Sequence, residues 1–138
     1  MLEFETAKTE LLSYRKLYYV IIRKKQRLAE LKKKFLAIKV QDFKERVQGG
    51  DEDRDWKTVL LSDMDELEME IAEDITRAEK LARRIEQKID ALNYPYNEVL
   101  ARKYIEFDTF EKIAVELNYD YRYVKKLHNR AINFYRIL

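Results

Sequence analysis

The 138-residue chain contains no cysteine. This excludes disulfides, a cysteine nucleophile and cysteine-ligated zinc, and it suits the reducing cytoplasm, where the protein is expected to reside. Glycine occurs only twice and proline only once. A sheet needs many turns, which those two residues mark, so their scarcity favours long helices and predicts an all-α fold. A single histidine, His128, leaves no second imidazole or thiol to complete a metal site, so neither metal nor cofactor is expected. No apolar run approaches the roughly 20 residues of a membrane span, so no membrane partner is expected. The opening MLEFETAKTE lacks the basic-then-apolar order of a signal peptide. Neither a Gly-rich phosphate loop nor an HExxH helix is present, and no nucleophile–base pair stands out, which points away from an enzyme.

Hydrophobic residues, at 46%, suffice for a core, while 39% of residues are charged. The net charge of +2 conceals an asymmetry. Residues 1–46 hold 13 Lys/Arg against 6 Asp/Glu, residues 51–93 hold 7 against 14, and residues 94–138 hold 8 against 6. Tyr121–Leu138 carries five basic residues (Arg122, Lys125, Lys126, Arg130 and Arg136) and no acid. Where the charge lies matters more than its sum.

Three-and-four spacing of apolar residues marks one helix over about 3–47, with Phe4, Ala7, Leu11, Tyr14, Tyr18 and Ile21 on a stripe that Leu28, Leu31, Phe35 and Ile38 resume. The paired glycines within Gln48–Asp53 break it. A second helix is predicted from Arg54 or Asp55 to Leu92, with Leu60, Met64, Leu67, Ile71, Ile75, Ala78, Ala82, Ile85, Ile89 and Leu92 on its stripe. Asp55, Asp63, Asp65 and Glu66 crowd its start, where carboxylates suit the helix dipole. Two such helices joined by a short loop are expected to fold back as an antiparallel hairpin over 1–92, with the loop near 48–53. Opposite charges along the flanks would select the pairing, since each exposed ion pair adds only about 0–1 kcal/mol. Leu12, Leu17 and Ile22 remain over as apolar positions that invite a further helix.

Asn93-Tyr94-Pro95 ends the second helix, and Pro95 suits the start of another. Three short helices are predicted over 96–106, 109 or 110–117, and 121–135. Asp108 or Thr109 caps the middle one, and Asp108 with Glu111 would form a capping box. Ile113, Ala114 and Leu117 give this helix an apolar face, and the small Ala114 permits close approach. Asn118 stands at the turn, where Asn accepts the left-handed conformation. Asp120 caps the last helix, from which Val124, Leu127, Ala131 and Phe134 are expected to point inward. Helix, tight turn and helix with this core spacing make a helix-turn-helix, so 93–138 is expected to form a separate three-helix module.

The exposed side of the last helix then presents Tyr121, Arg122, Lys125, Lys126, Asn129 and Arg130, and Tyr123 can either pack inward or touch a phosphate. Lys and Arg neutralise phosphates and release counterions. Arg reads guanine and Asn reads adenine with paired hydrogen bonds. The first turns of such a helix reach base edges, which favours Tyr121, Arg122 and Lys125 over Asn129. The basic run Arg23–Arg27 with Lys32–Lys34 reads as a solvated face against the acidic second helix. The acidic run Asp63–Glu70 reads as a helix start with exposed carboxylates. His128 sits near the core edge and reads as a packing or phosphate-contact residue.

Leu100–Glu106, Thr109–Ala114 and Asp120–Ala131 together resemble the region-four helix-turn-helix of bacterial sigma factors. The chain is more closely similar to small phage and prophage proteins that carry this module behind a helical hairpin, the sigma-like late-transcription regulators of the ArpU and RinA kind. The resemblance is strongest over Leu92–Ile132, and the hairpin matches in organisation alone. It implies a regulator whose last helix, about 121–134, enters the major groove of double-stranded DNA, with Tyr121, Arg122, Lys125, Lys126 and Arg130 facing it. The family pattern often has Gly where Asn118 stands and Ser where Asp120 stands; Asp120 adds a negative charge near the DNA. One such helix binds weakly, so a homo-oligomer (dimer or larger) or RNA polymerase is expected as co-binder, with the hairpin as the assembly device. Two other readings stay open: a DNA-packaging recognition subunit resembling a small terminase, and an anti-sigma or polymerase-binding module that never touches DNA.

Overall fold

The computed structural model describes residues 2–47 and 55–138, so the loop expected near 48–53 lies outside the described residues. Within them the chain is all-α: α1 (Phe4–Val47), α2 (Asp55–Asp90), α3 (Tyr96–Tyr104), α4 (Phe110–Leu117) and α5 (Tyr121–Tyr135), with no strand. None of these helices is long and apolar enough to cross a membrane. The helices follow the predicted periodicity closely. α2 stops at Asp90 rather than Leu92 and α3 at Tyr104 rather than Glu106.

The chain divides into two compact units, one made of Met1–Tyr18 with Arg77–Leu138 and the other of Tyr19–Thr76. The sequence reading instead placed a boundary between Leu92 and Asn93. The division falls elsewhere because the outer ends of both long helices share a core with the short ones. Ala7 and Leu11 of α1, Ile85 and Ile89 of α2 with Leu92 just beyond it, Leu100 and Tyr104 of α3, and Ala131, Ile132 and Tyr135 of α5 form one buried cluster. A second cluster, Val99, Ile113, Ala114, Val124 and Leu127, lies among the three short helices. Three short helices alone enclose little apolar volume, and the long-helix ends supply the missing walls.

Polar contacts close the same unit. Glu10 forms ion pairs with Arg84 and Lys88 of α2 and accepts a hydrogen bond from the Tyr135 hydroxyl at 3.3 Å. The Leu2 backbone N–H donates to the Arg136 carbonyl at 2.8 Å.

In the other unit, Ile21 of α1 and Leu60, Leu67 and Ile71 of α2 are the buried apolar residues. Lys24 pairs with Glu70 and Asp74, Lys32 with Glu68, and Asp42 with Lys57. Numbers rise along α1 as they fall along α2, so the two segments run antiparallel there. Most of these pairs set a basic α1 side chain against an acidic α2 one, as the charge asymmetry suggested. Asp42–Lys57 reverses the polarity, and this carboxylate is buried.

Candidate nucleic-acid interface

α4 and α5 are joined by three residues whose backbone settles their angle. Thr109 caps α4 by accepting the Lys112 backbone N–H on its hydroxyl at 3.2 Å. The expected Asp108–Glu111 capping box does not form. Asp108 is buried and meets the Lys112 ammonium at 3.1 Å instead, one residue too early to cap. Asn118 ends α4 in the left-handed region, at φ 57° and ψ 42°, which lets the chain reverse and the Tyr119 N–H bond back to the Ala114 carbonyl at 3.0 Å. Asp120 then caps α5, its carboxylate accepting the Arg122 N–H at 3.2 Å.

α5 is strictly two-faced. Val124, Leu127, His128, Ala131, Ile132 and Tyr135 are buried. Tyr121, Arg122, Tyr123, Lys125, Lys126, Asn129 and Arg130 are all exposed. Apart from Tyr123, the exposed set recurs at four-residue steps in adjacent pairs, which puts it along one helix face. Phe134 does not point inward as expected: it is 45% exposed, and its ring rests edge-on against Tyr96 with centroids 5.0 Å apart. Tyr135 takes the core position because the buried stripe runs through 128, 131, 132 and 135, and Phe134 falls at its edge.

The cations of this face differ from those behind it. Arg102 of α3 is paired with Glu98 and Glu116, and Lys112 of α4 with Asp108 and Glu116. These carboxylates raise the pKa of Arg102 and Lys112, chiefly by accepting hydrogen bonds, Glu98 from Arg102 and Asp108 from Lys112. Among the described residues, Arg122, Lys125, Lys126 and Arg130 have no such carboxylate. The Lys125 ammonium lies 4.7 Å above the Tyr121 ring, which braces both side chains at the first turn. Tyr123 does not choose between its two expected roles. It meets Tyr119 edge-on at 5.2 Å yet stays 42% exposed.

Asn129 and His128 are linked. The His128 Nδ1 lies 3.2 Å from Asn129 Oδ1, which can only accept, so the ring proton sits on Nδ1. The Nε2 then accepts from the buried Tyr104 hydroxyl at 2.6 Å. Burial lowers the His128 pKa to about 4, so the ring is neutral at physiological pH. His128 is therefore a core residue, not a phosphate contact. Asn129 keeps its amide N–H donors for a ligand, but its carbonyl oxygen is already engaged.

Sequence reasoning overlooked Phe107, in the turn between α3 and α4. It adopts φ 62° and is contacted by Tyr18 at 5.0 Å, Tyr14 at 5.8 Å and the Arg15 guanidinium at 5.7 Å. A bulky residue in the left-handed region costs about 1–2 kcal/mol, and nothing in the letter F signals it. The ring contacts offset that cost and fasten the α3–α4 corner to α1.

Among the described residues, no group of three or more His, Asp or Glu side chains is placed to hold a metal ion. No family model, curated protein or solved structure matches the chain.

Proposed function

We propose that the protein binds duplex DNA sequence-specifically through α5 and thereby regulates transcription, as the resemblance to sigma-like phage regulators implies. One observation carries this: α5 presents a face of exposed cations without carboxylate partners, while Arg102 of α3 and Lys112 of α4 behind it are neutralised. Tyr121, Arg122 and Lys125, in its first turns, are the base-reading side chains; Lys126, Arg130 and the Tyr123 hydroxyl contact phosphates. Asn129 reads a base edge with its amide N–H donors. The short αL turn at Asn118 supports the reading because it lets α5 project past α4, as groove insertion requires. The Tyr19–Thr76 segments serve in this proposal to join copies of the chain or to meet RNA polymerase.

The test is a gel shift with random duplex at two salt concentrations. The two cation–phosphate contacts, at Lys126 and Arg130, give a slope of log affinity against log salt of about −1.8 per bound copy. Arg122→Ala and Lys126→Ala should each weaken binding with helicity unchanged. Parent-like binding by both variants, or no binding by the parent at low salt, refutes the reading and favours a protein-binding role.

A further inference from the structure

Beside the α5 face lies a recess of about 430 Å³, lined by Lys8, Leu12 and Arg15 of α1, Lys103, Tyr104 and Phe110 on α3 and α4, and Lys125, His128 and Asn129 of α5. Its floor is apolar or neutral, because His128 carries no charge at physiological pH. Its rim holds four cations from three helices, and no carboxylate lines it. Lys8 and Arg15 are seven residues apart, which sets them on one face of α1.

Like charges are gathered here. The Lys103 ammonium lies 4.2 Å above the Phe110 ring. Its pKa is lowered by burial first, and then by Arg15 and Lys8, with Glu111 opposing them. Lys8 and Lys103 also help to keep His128 unprotonated. A concave, cation-rimmed site with a neutral floor has the composition of an anion site, and its volume falls in the range of small-ligand pockets.

We propose that this recess is a phosphate-binding site in which Lys8, Arg15 and Lys103 surround the anion. Two sources can supply that chemistry: a backbone phosphate of DNA lying along α5, or the phosphates of a free nucleotide-like ligand. The first deepens the DNA-binding reading and rests on it; the second does not.

The experiment uses the full chain, tripolyphosphate as probe, and the double variant Lys8→Gln/Lys103→Gln, which leaves the exposed α5 face intact. Tripolyphosphate should raise the melting temperature of the parent saturably and shift the amide resonances of Lys103 and Asn129 but not that of Lys32. The double variant should bind it at least tenfold more weakly while melting no lower than the parent without ligand, since it sheds repulsion. If a short random duplex displaces the probe, and the double variant's salt slope is shallower by about 0.9, the phosphate belongs to DNA. If probe and duplex bind together, it belongs to a free ligand. A parent that does not bind the probe, resonance shifts elsewhere, or equal affinity in parent and double variant overturns the proposal. Arg122→Ala/Lys126→Ala separates the two claims: were the DNA reading wrong, this variant and the parent would bind duplex alike, while their tripolyphosphate affinity would remain.

Discussion

The two compact units differ in how deeply they bury the apolar side chains of their cores. In the unit holding the short helices, Leu127 is 1% exposed and Leu11, Ile85, Leu100, Ile113 and Ile132 are fully buried. In the Tyr19–Thr76 unit the best-buried apolar residues keep 7–8% exposure, while Leu36, Val40, Phe43, Val59, Leu61 and Met69 are largely open to solvent. The cause is geometric. Two helices cover a side chain from two sides, whereas five segments surround it. The first unit therefore derives its order from packing, and the second leans more on which charges can meet.

The largest effect that tests this contrast is a matched pair of core truncations. Leu127→Ala should destabilise the protein by about 2–5 kcal/mol, and Leu67→Ala by less than about 2 kcal/mol, because a half-open groove collapses more readily around a void. Urea denaturation followed by circular dichroism measures both; equal costs would break the distinction. Next comes pH. His128 has an ordinary value of 6.5 when unfolded and about 4 in the fold. The unfolded chain thus takes up the proton first, and stability is lost as pH falls from about 6.5 to about 4. The loss attributable to this group is about 3 kcal/mol. Subtracting the pH profile of His128→Gln from that of the parent isolates it, and a flat difference would show that the ring titrates normally. Smallest are two surface changes. Asn118→Ala should cost about 1 kcal/mol because Ala resists the left-handed turn. Lys32→Ala should cost under about 0.5 kcal/mol, since both members of its ion pair are half-exposed. A Lys32 effect as large as that of Asn118 would mean that exposed ion pairs contribute more to the second unit than their exposure suggests.

What could be read from the sequence was what depends on near neighbours. The stripes of α1 and α2, the left-handed Asn118, the Asp120 cap and the exposed face of α5 all follow from spacing within a few residues. Errors arose where two adjacent residues compete for one role. Thr109 caps where Asp108 was equally eligible, and Tyr135 enters the core where Phe134 fits the pattern nearly as well, because one helical step turns a side chain by only about 100°. Invisible altogether were features assembled from distant segments. Phe107 reveals its backbone conformation only beside Tyr14 and Tyr18, and Lys8 and Arg15 acquire significance only beside Lys103. The division of the chain escaped for the same reason, since nothing around Leu92 announces that Ala7 and Leu11 share a core with Ala131.

The contacts of Leu2 with Arg136 and of Glu10 with Tyr135 join residues 134 and 125 positions apart. On a ribosome, Leu2 emerges long before Arg136 has been added. At about 5–20 residues per second the wait is roughly 7–27 s. Throughout that interval the leading turns of α1 lack α5, and for more than half of it they also lack the end of α2, to cover Ala7 and Leu11. Synthesis of α5, rather than formation of α1, therefore sets the earliest moment at which this part of the protein reaches its finished state.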